Sequence, residues 1–91
     1  MGEHNDELGR IVDTFWQKAD RAEAQDDAED ARAWMEAIVE LDAANLEAWL
    51  RLAELIPDAQ ERMQCYVHVL EVDPRNVGAR EGIRKTRREL R

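Results

Sequence analysis

Serine is absent from this chain, cysteine occurs once, proline twice and glycine four times. Each shortage excludes something. Without serine there is no nucleophile elbow, and no Gly-rich stretch has the form of a phosphate loop. The single Cys65 cannot form an internal disulfide, which suits a reducing compartment and a cytoplasmic location. So little glycine and proline punctuates a strand-and-turn fold poorly and leaves room for long helices. Aromatic residues make up 5%. No apolar run approaches the length of a membrane span, so no transmembrane helix and no membrane partner is expected. Residues 1–6, MGEHND, are too polar and acidic for a signal peptide. Asp6 stands where a myristoylation signal needs Ser or Thr. These six residues are expected as a short mobile tail ahead of a single domain over residues 7–91.

Charge is what the chain has in quantity: 37% of residues, with a net −8. Its distribution is uneven. Residues 1–73 hold 19 acids against 6 bases, a balance of −13, while residues 74–91 hold 2 acids against 7 bases, a balance of +5. The acidic body argues against general nucleic-acid binding. The basic end is either the solvated face of a terminal helix or a contact for an anionic partner.

Apolar spacing predicts five helices, near 7–24, 27–42, 45–56, 58–73 and 76–90. In the first, Leu8, Ile11, Val12, Phe15, Trp16, Ala19 and Ala22 fall in steps of three and four on one stripe. The second uses Ala28, Ala31, Met35, Ile38 and Val39, and Trp34 with Leu41 forms a second apolar strip. Asn45 opens the third, with Leu46, Trp49, Leu50, Leu52, Ala53 and Ile56 apolar, until Pro57 stops it. Asp58 followed by Glu61 starts the fourth in the manner of a capping box. Its expected face is Ala59, Met63, Tyr66, Val67 and Leu70, with Val69 and Val72 adjoining. In the fifth, capped by Asn76, only Val77, Ala79, Ile83 and Leu90 are apolar, and Arg80, Arg84, Lys85, Arg87, Arg88 and Arg91 dominate.

The chain also repeats itself. Asp27/Asp58, Glu40/Glu71, Asp42/Asp73, Asn45/Asn76 and Ala48/Ala79 match at an offset of 31 residues, with Ile38/Val69 conservative. Val12/Leu46, Phe15/Trp49, Trp16/Leu50 and Ala19/Ala53 match at 34. The three-residue difference is expected in a looser turn between Ala22 and Asp27. Self-similarity at such a period marks stacked helical hairpins, and a final helix with a polar outer face is the cap that a stack needs. The expected fold is therefore all-α: an antiparallel helix-hairpin stack with repeat one at about 8–44, repeat two at about 45–75 and a capping helix at about 76–90.

At these residues the sequence resembles the tetratricopeptide repeat family. That signature places Trp, then Leu and a small residue, in the first helix, with an aromatic in the second and a Pro at its exit. Trp49, Leu52, Ala53, Tyr66 and Pro74 answer it in the central repeat. The first repeat keeps Phe15, Ala19, Ala31 and Met35 but has Lys18 for the Leu and Ala43 for the Pro, and Arg62 stands where the family prefers a small residue. The resemblance implies a concave groove lined by helices one, three and five that holds a peptide or a partner surface. Trp49 is expected as the central packing residue, wedged between helices two, three and four. Trp16 and Leu50 face either the groove or the core, and Asp20, Arg51, Glu54, Glu81, Lys85 and Arg88 are the polar candidates for the lining.

Catalytic and metal signals are thin. Cys65 and His68 have the spacing of half a zinc site, but no second pair completes it, and a core-edge cysteine beside a surface histidine explains them. The acids from Asp26 to Asp30 lack the glycine and spacing of a calcium loop and fit helix capping. No catalytic residue, cofactor or metal is expected. The expected function is a non-enzymatic protein–protein interaction module or adaptor. The alternatives are a self-associating scaffold, through Trp34 and Leu41, and an anion or nucleic-acid contact through the last helix.

Overall fold

A computed structural model describes the backbone of residues 2–91 and the side chains of residues 7–91. The molecule is all-helical, with no strand among the described residues: α1 (Gly2–Ala24), α2 (Ala28–Leu41), α3 (Leu46–Leu55), α4 (Ala59–Val72) and α5 (Val77–Glu89). None of these is long and apolar enough to cross a membrane. The ranges expected for α2 to α5 each exceed the helix by one residue at either end, and for α2, α4 and α5 those flanking residues are its caps. The first helix begins at Gly2 rather than near residue 7. The tail expected over residues 1–6 lies outside the residues whose side chains are described.

The chain divides into two compact units, Met1–Asn45 and Leu46–Arg91. In the first, α1 ends in a Schellman turn. Asp27 N–H donates to the Ala22 carbonyl (2.8 Å) and Asp26 N–H to that of Glu23 (3.0 Å). Asp26 supplies the left-handed residue of this turn, with φ 59°. Aspartate tolerates that conformation better than most residues, though less well than glycine. Asp27 then caps α2, its carboxylate accepting the Asp30 N–H at 3.1 Å. Val12, Ala19 and Ala22 of α1 are buried, as are Ala31, Met35, Ile38 and Val39 of α2. The three-residue connection turns α2 back along α1, and Phe15 meets Trp34 with ring centroids 5.0 Å apart and planes at 52°. Lys18 Nζ stands 5.3 Å from the centre of the same indole. Trp34, expected on an outer strip, is thus half-covered by its own hairpin, while Leu41 is exposed.

In the second unit α4 packs against both α3 and α5. The buried residues are Ala48, Leu52 and Ala53 of α3, Ile56 just after it, Cys65, Tyr66 and Val69 of α4, and Ala79, Gly82 and Thr86 of α5. The apolar faces are turned relative to expectation: Val67, Val72, Val77 and Leu90 are all exposed. Trp49 is only half-buried, its ring against His68 with centroids 4.2 Å apart. Tyr66 holds the more central place. Its phenol ring lies on Gly82, in the space that a Cβ would occupy. A stripe of Ala79, Gly82 and Thr86 therefore packs α5; of the expected Val77, Ala79, Ile83 and Leu90, Ala79 is fully buried and Val77 and Leu90 are exposed.

Arg62, the departure from the repeat pattern, ties three elements together. Its Nε donates to the Ile56 carbonyl at 3.1 Å and an Nη to that of Pro57 at 3.0 Å. The other Nη pairs with the Glu89 carboxylate at the end of α5. The guanidinium satisfies carbonyls left open where α3 ends, at the negative end of its dipole.

The internal repeat survives in the backbone. Asp42 N–H bonds Ile38 O and Asp73 N–H bonds Val69 O, both at 2.8 Å; Asn45 N–H bonds Asp42 O and Asn76 N–H bonds Asp73 O, both at 3.0 Å. One correction concerns the three-residue difference. The connections 25–27 and 56–58 are equally long, so the extra residues extend the last turn of α1 rather than loosen a loop.

Candidate partner-binding surface

The eight residues expected to contact a partner are distributed over both units. Trp16 and Asp20 lie on α1, the first half-buried and the second exposed. The neighbouring Ala19 is fully buried. On α3, Leu50 is half-buried beside the fully buried Ala53, Arg51 is half-buried and Glu54 exposed. Leu50 reaches the first turn of α5: its Cδ1 lies 3.3 Å from where a Cβ on Gly78 would stand. Glu54 faces outward but is felt inside. Burial pushes the Tyr66 hydroxyl above its ordinary pKa, the negative charge of Glu54 adds to the rise, and Arg62 opposes it. Glu81, Lys85 and Arg88 are exposed on α5, and Glu81 stands 4.0 Å from Arg84 one turn on.

The strongest surface feature is the outer side of α5. Asn76 caps this helix through its side-chain oxygen, which accepts the Ala79 N–H at 2.9 Å. Arg87 and Arg88 occupy its last turn, where cations complement the dipole. At 100° per residue, the buried Ala79, Gly82 and Thr86 fix which side faces outward. Directly opposite lie Val77, Arg84 and Arg88, with Glu81 and Arg80 about 50° to either side. Two shallow depressions run along this ridge and share Arg84. One of about 340 Å³ is bounded by Val77, Arg80, Glu81 and Arg84. The other, of about 550 Å³, is bounded by Arg84, Arg87, Arg88, Leu90 and Arg91. Val77 is 68% exposed and Leu90 45%.

Of the expected lining on α5, only Glu81 and Arg88 border these depressions, and Lys85 lies to one side. Val77, Arg80, Arg84, Arg87, Leu90 and Arg91 were outside the expected set. The small-residue stripe Ala79–Gly82–Thr86 finds Val77 and Arg84, which lie opposite it, but not Leu90, which is wound back toward the buried side. Cys65 is buried while His68 lies against Trp49. Among the described residues no group of three or more His, Cys, Asp or Glu gathers as a metal site would require. No family model matches this chain, and no curated protein is significantly similar to it.

Proposed function

We propose that this chain is a non-enzymatic protein-interaction module of the tetratricopeptide-repeat type, presenting helix surfaces to a peptide or a partner helix. One observation carries this reading: at equivalent places in α1 and α3 a large apolar side chain stays half-exposed beside a fully buried alanine. Trp16 neighbours Ala19, and Leu50 neighbours Ala53. Leu50 covers the first turn of α5 with part of its side chain, and the rest of it, like part of Trp16, stays accessible. Aromatic and large aliphatic residues held half-exposed on a rigid scaffold are the usual anchors of protein recognition. A self-associating scaffold is the weaker reading, since Trp34, its main anchor, is engaged by Phe15 and Lys18 of its own hairpin.

The test is capture from an extract of the source organism on immobilised chain, wild type against the double variant Trp16→Ala/Leu50→Ala. The expected outcome is a discrete partner retained by the wild type and lost by the variant, with helicity by circular dichroism preserved in both. A wild type that retains nothing above background, or a variant that retains as much, overturns the reading. Light scattering on the free chain decides the rival: a stable dimer dispersed by Trp34→Glu would favour the scaffold.

A further inference from the structure

Taking the interaction-module reading as its basis, we infer that the two depressions along α5, joined at Arg84, are a docking site for an acidic peptide segment carrying an apolar residue at each end. Val77 borders one depression and Leu90 the other, thirteen residues or about 20 Å apart along the axis and about 140° apart around it. Arg80, Arg84, Arg87 and Arg88 lie between them along the helix and Arg91 just beyond, all exposed. The only carboxylate bordering the depressions is Glu81, 4.0 Å from Arg84. The helix's other terminal acid, Glu89, is drawn away to Arg62. The fold therefore clears the ridge of negative charge at its far end and leaves a row of guanidinium groups turned to solvent.

Charge complementarity selects the occupant. Guanidinium forks match carboxylates in a bidentate geometry, so a row of arginines reads a row of Asp or Glu. Phosphate polyanions share that chemistry but fit the rest of the surface less well. Residues 77–91 contain no aromatic side chain on which a base could stack. Nucleic acid offers nothing to cover Val77 and Leu90, whereas the ends of a peptide can. The −13 balance of residues 1–73 also repels a long polyanion more than a short segment. An anionic bilayer is disfavoured because the apolar face of α5 is turned against Tyr66 and only two apolar side chains remain outside.

The experiment measures fluorescence anisotropy of the full chain with four probes: a labelled hexaglutamate flanked by leucines, the same peptide flanked by glycines, a twelve-nucleotide RNA, and phosphatidylserine vesicles. The leucine-flanked peptide is expected to bind at least about tenfold more tightly than the glycine-flanked one, because two apolar side chains become buried. Its binding should weaken steadily as salt is raised. Arg84→Glu/Arg88→Glu should weaken it at least about tenfold, and Arg84→Lys/Arg88→Lys by less. No binding of the leucine-flanked peptide, binding indifferent to salt, or tighter binding of RNA or vesicles overturns the assignment. The salt titration on the wild type needs no variant, so a misfolded variant does not remove the test. If the peptide fails while partner capture through Trp16 and Leu50 succeeds, only the docking assignment falls and the module reading stands.

Discussion

Adding a methyl group at Gly82 places it inside the phenol ring of Tyr66, whereas the Cβ of an alanine at Gly9 would meet no atom within 4 Å. The two glycines therefore separate backbone propensity from packing. Alanine is favoured over glycine within a helix by about 1 kcal/mol, and Gly9→Ala should raise stability by roughly that amount. At Gly82 the same gain is opposed by overpacking, which costs about 1–3 kcal/mol, so Gly82→Ala should be net destabilising. Urea titration of the two variants checks the opposite signs. Tyr66 itself makes a pH prediction. Its hydroxyl is held protonated above the ordinary value of 10.0 by burial and by Glu54. The folded state thus retains a proton that the unfolded state releases first. The contribution is complete below pH 10 and is lost as pH rises through the higher folded value. Melting followed from pH 9 to 11 should fall more steeply for the wild type than for Tyr66→Phe, and parallel curves would refute the assignment.

Among the elements, α4 depends on a residue that the repeat pattern marked as an intruder. Arg62 is 17% exposed in its side chain and bonds two carbonyls at the end of α3 as well as Glu89 of α5. Hydrogen bonds from a charged donor contribute about 1.5–3 kcal/mol. Arg62→Met, which keeps the stem, should destabilise by about that much, and Arg62→Lys should restore only part, lacking the fork. The expected readout is the denaturant midpoint; equal midpoints for Met and Lys would mean that the geometry of the head group is irrelevant. Helix boundaries in this chain were legible in the sequence because their signals are local: Asp27, Asp58 and Asn76 cap by their own side chains, and Pro57 bars continuation. The faces of α4 and α5 were not. Hydrophobicity ranks Val67 and Val77 above Gly82 and Thr86, yet the buried pair is the latter, since what α5 can bury depends on a tyrosine brought from another helix. The arginine ridge of α5 likewise becomes visible only once the inner face of that helix is known. The shift of 34 against 31 was also legible, but not its meaning, because a helix that gains three residues and a loop that gains three leave the same trace in an alignment.

For the whole molecule, charge is the term most easily changed from outside. A net −8 on 91 residues works against compactness through self-repulsion. Much of the acid is exposed on α1 and α2, as Asp13, Asp20, Glu29, Asp30, Glu36 and Glu40, and no base outside residues 74–91 matches that density. Screening at moderate salt should therefore raise the melting temperature at pH 7, and Arg84→Glu/Arg88→Glu, which makes the chain more acidic, should enlarge that rise. A melting temperature that falls from low to moderate salt would show that specific ion pairs outweigh the general repulsion.

The two Asp-to-Asn turns carry one more consequence. Because Asp42 to Asn45 and Asp73 to Asn76 close with the same hydrogen bonds at the same lengths, the backbone offers a ready splice point. Copying residues 46–76 and inserting them after Asn76 keeps an asparagine ahead of every new helix and repeats a junction that the gene has already used. Such a chain should gain one hairpin and stay helical, which far-ultraviolet circular dichroism checks. The same four-residue turn would then occur three times in one chain, each time closing with Asp as acceptor and Asn as donor.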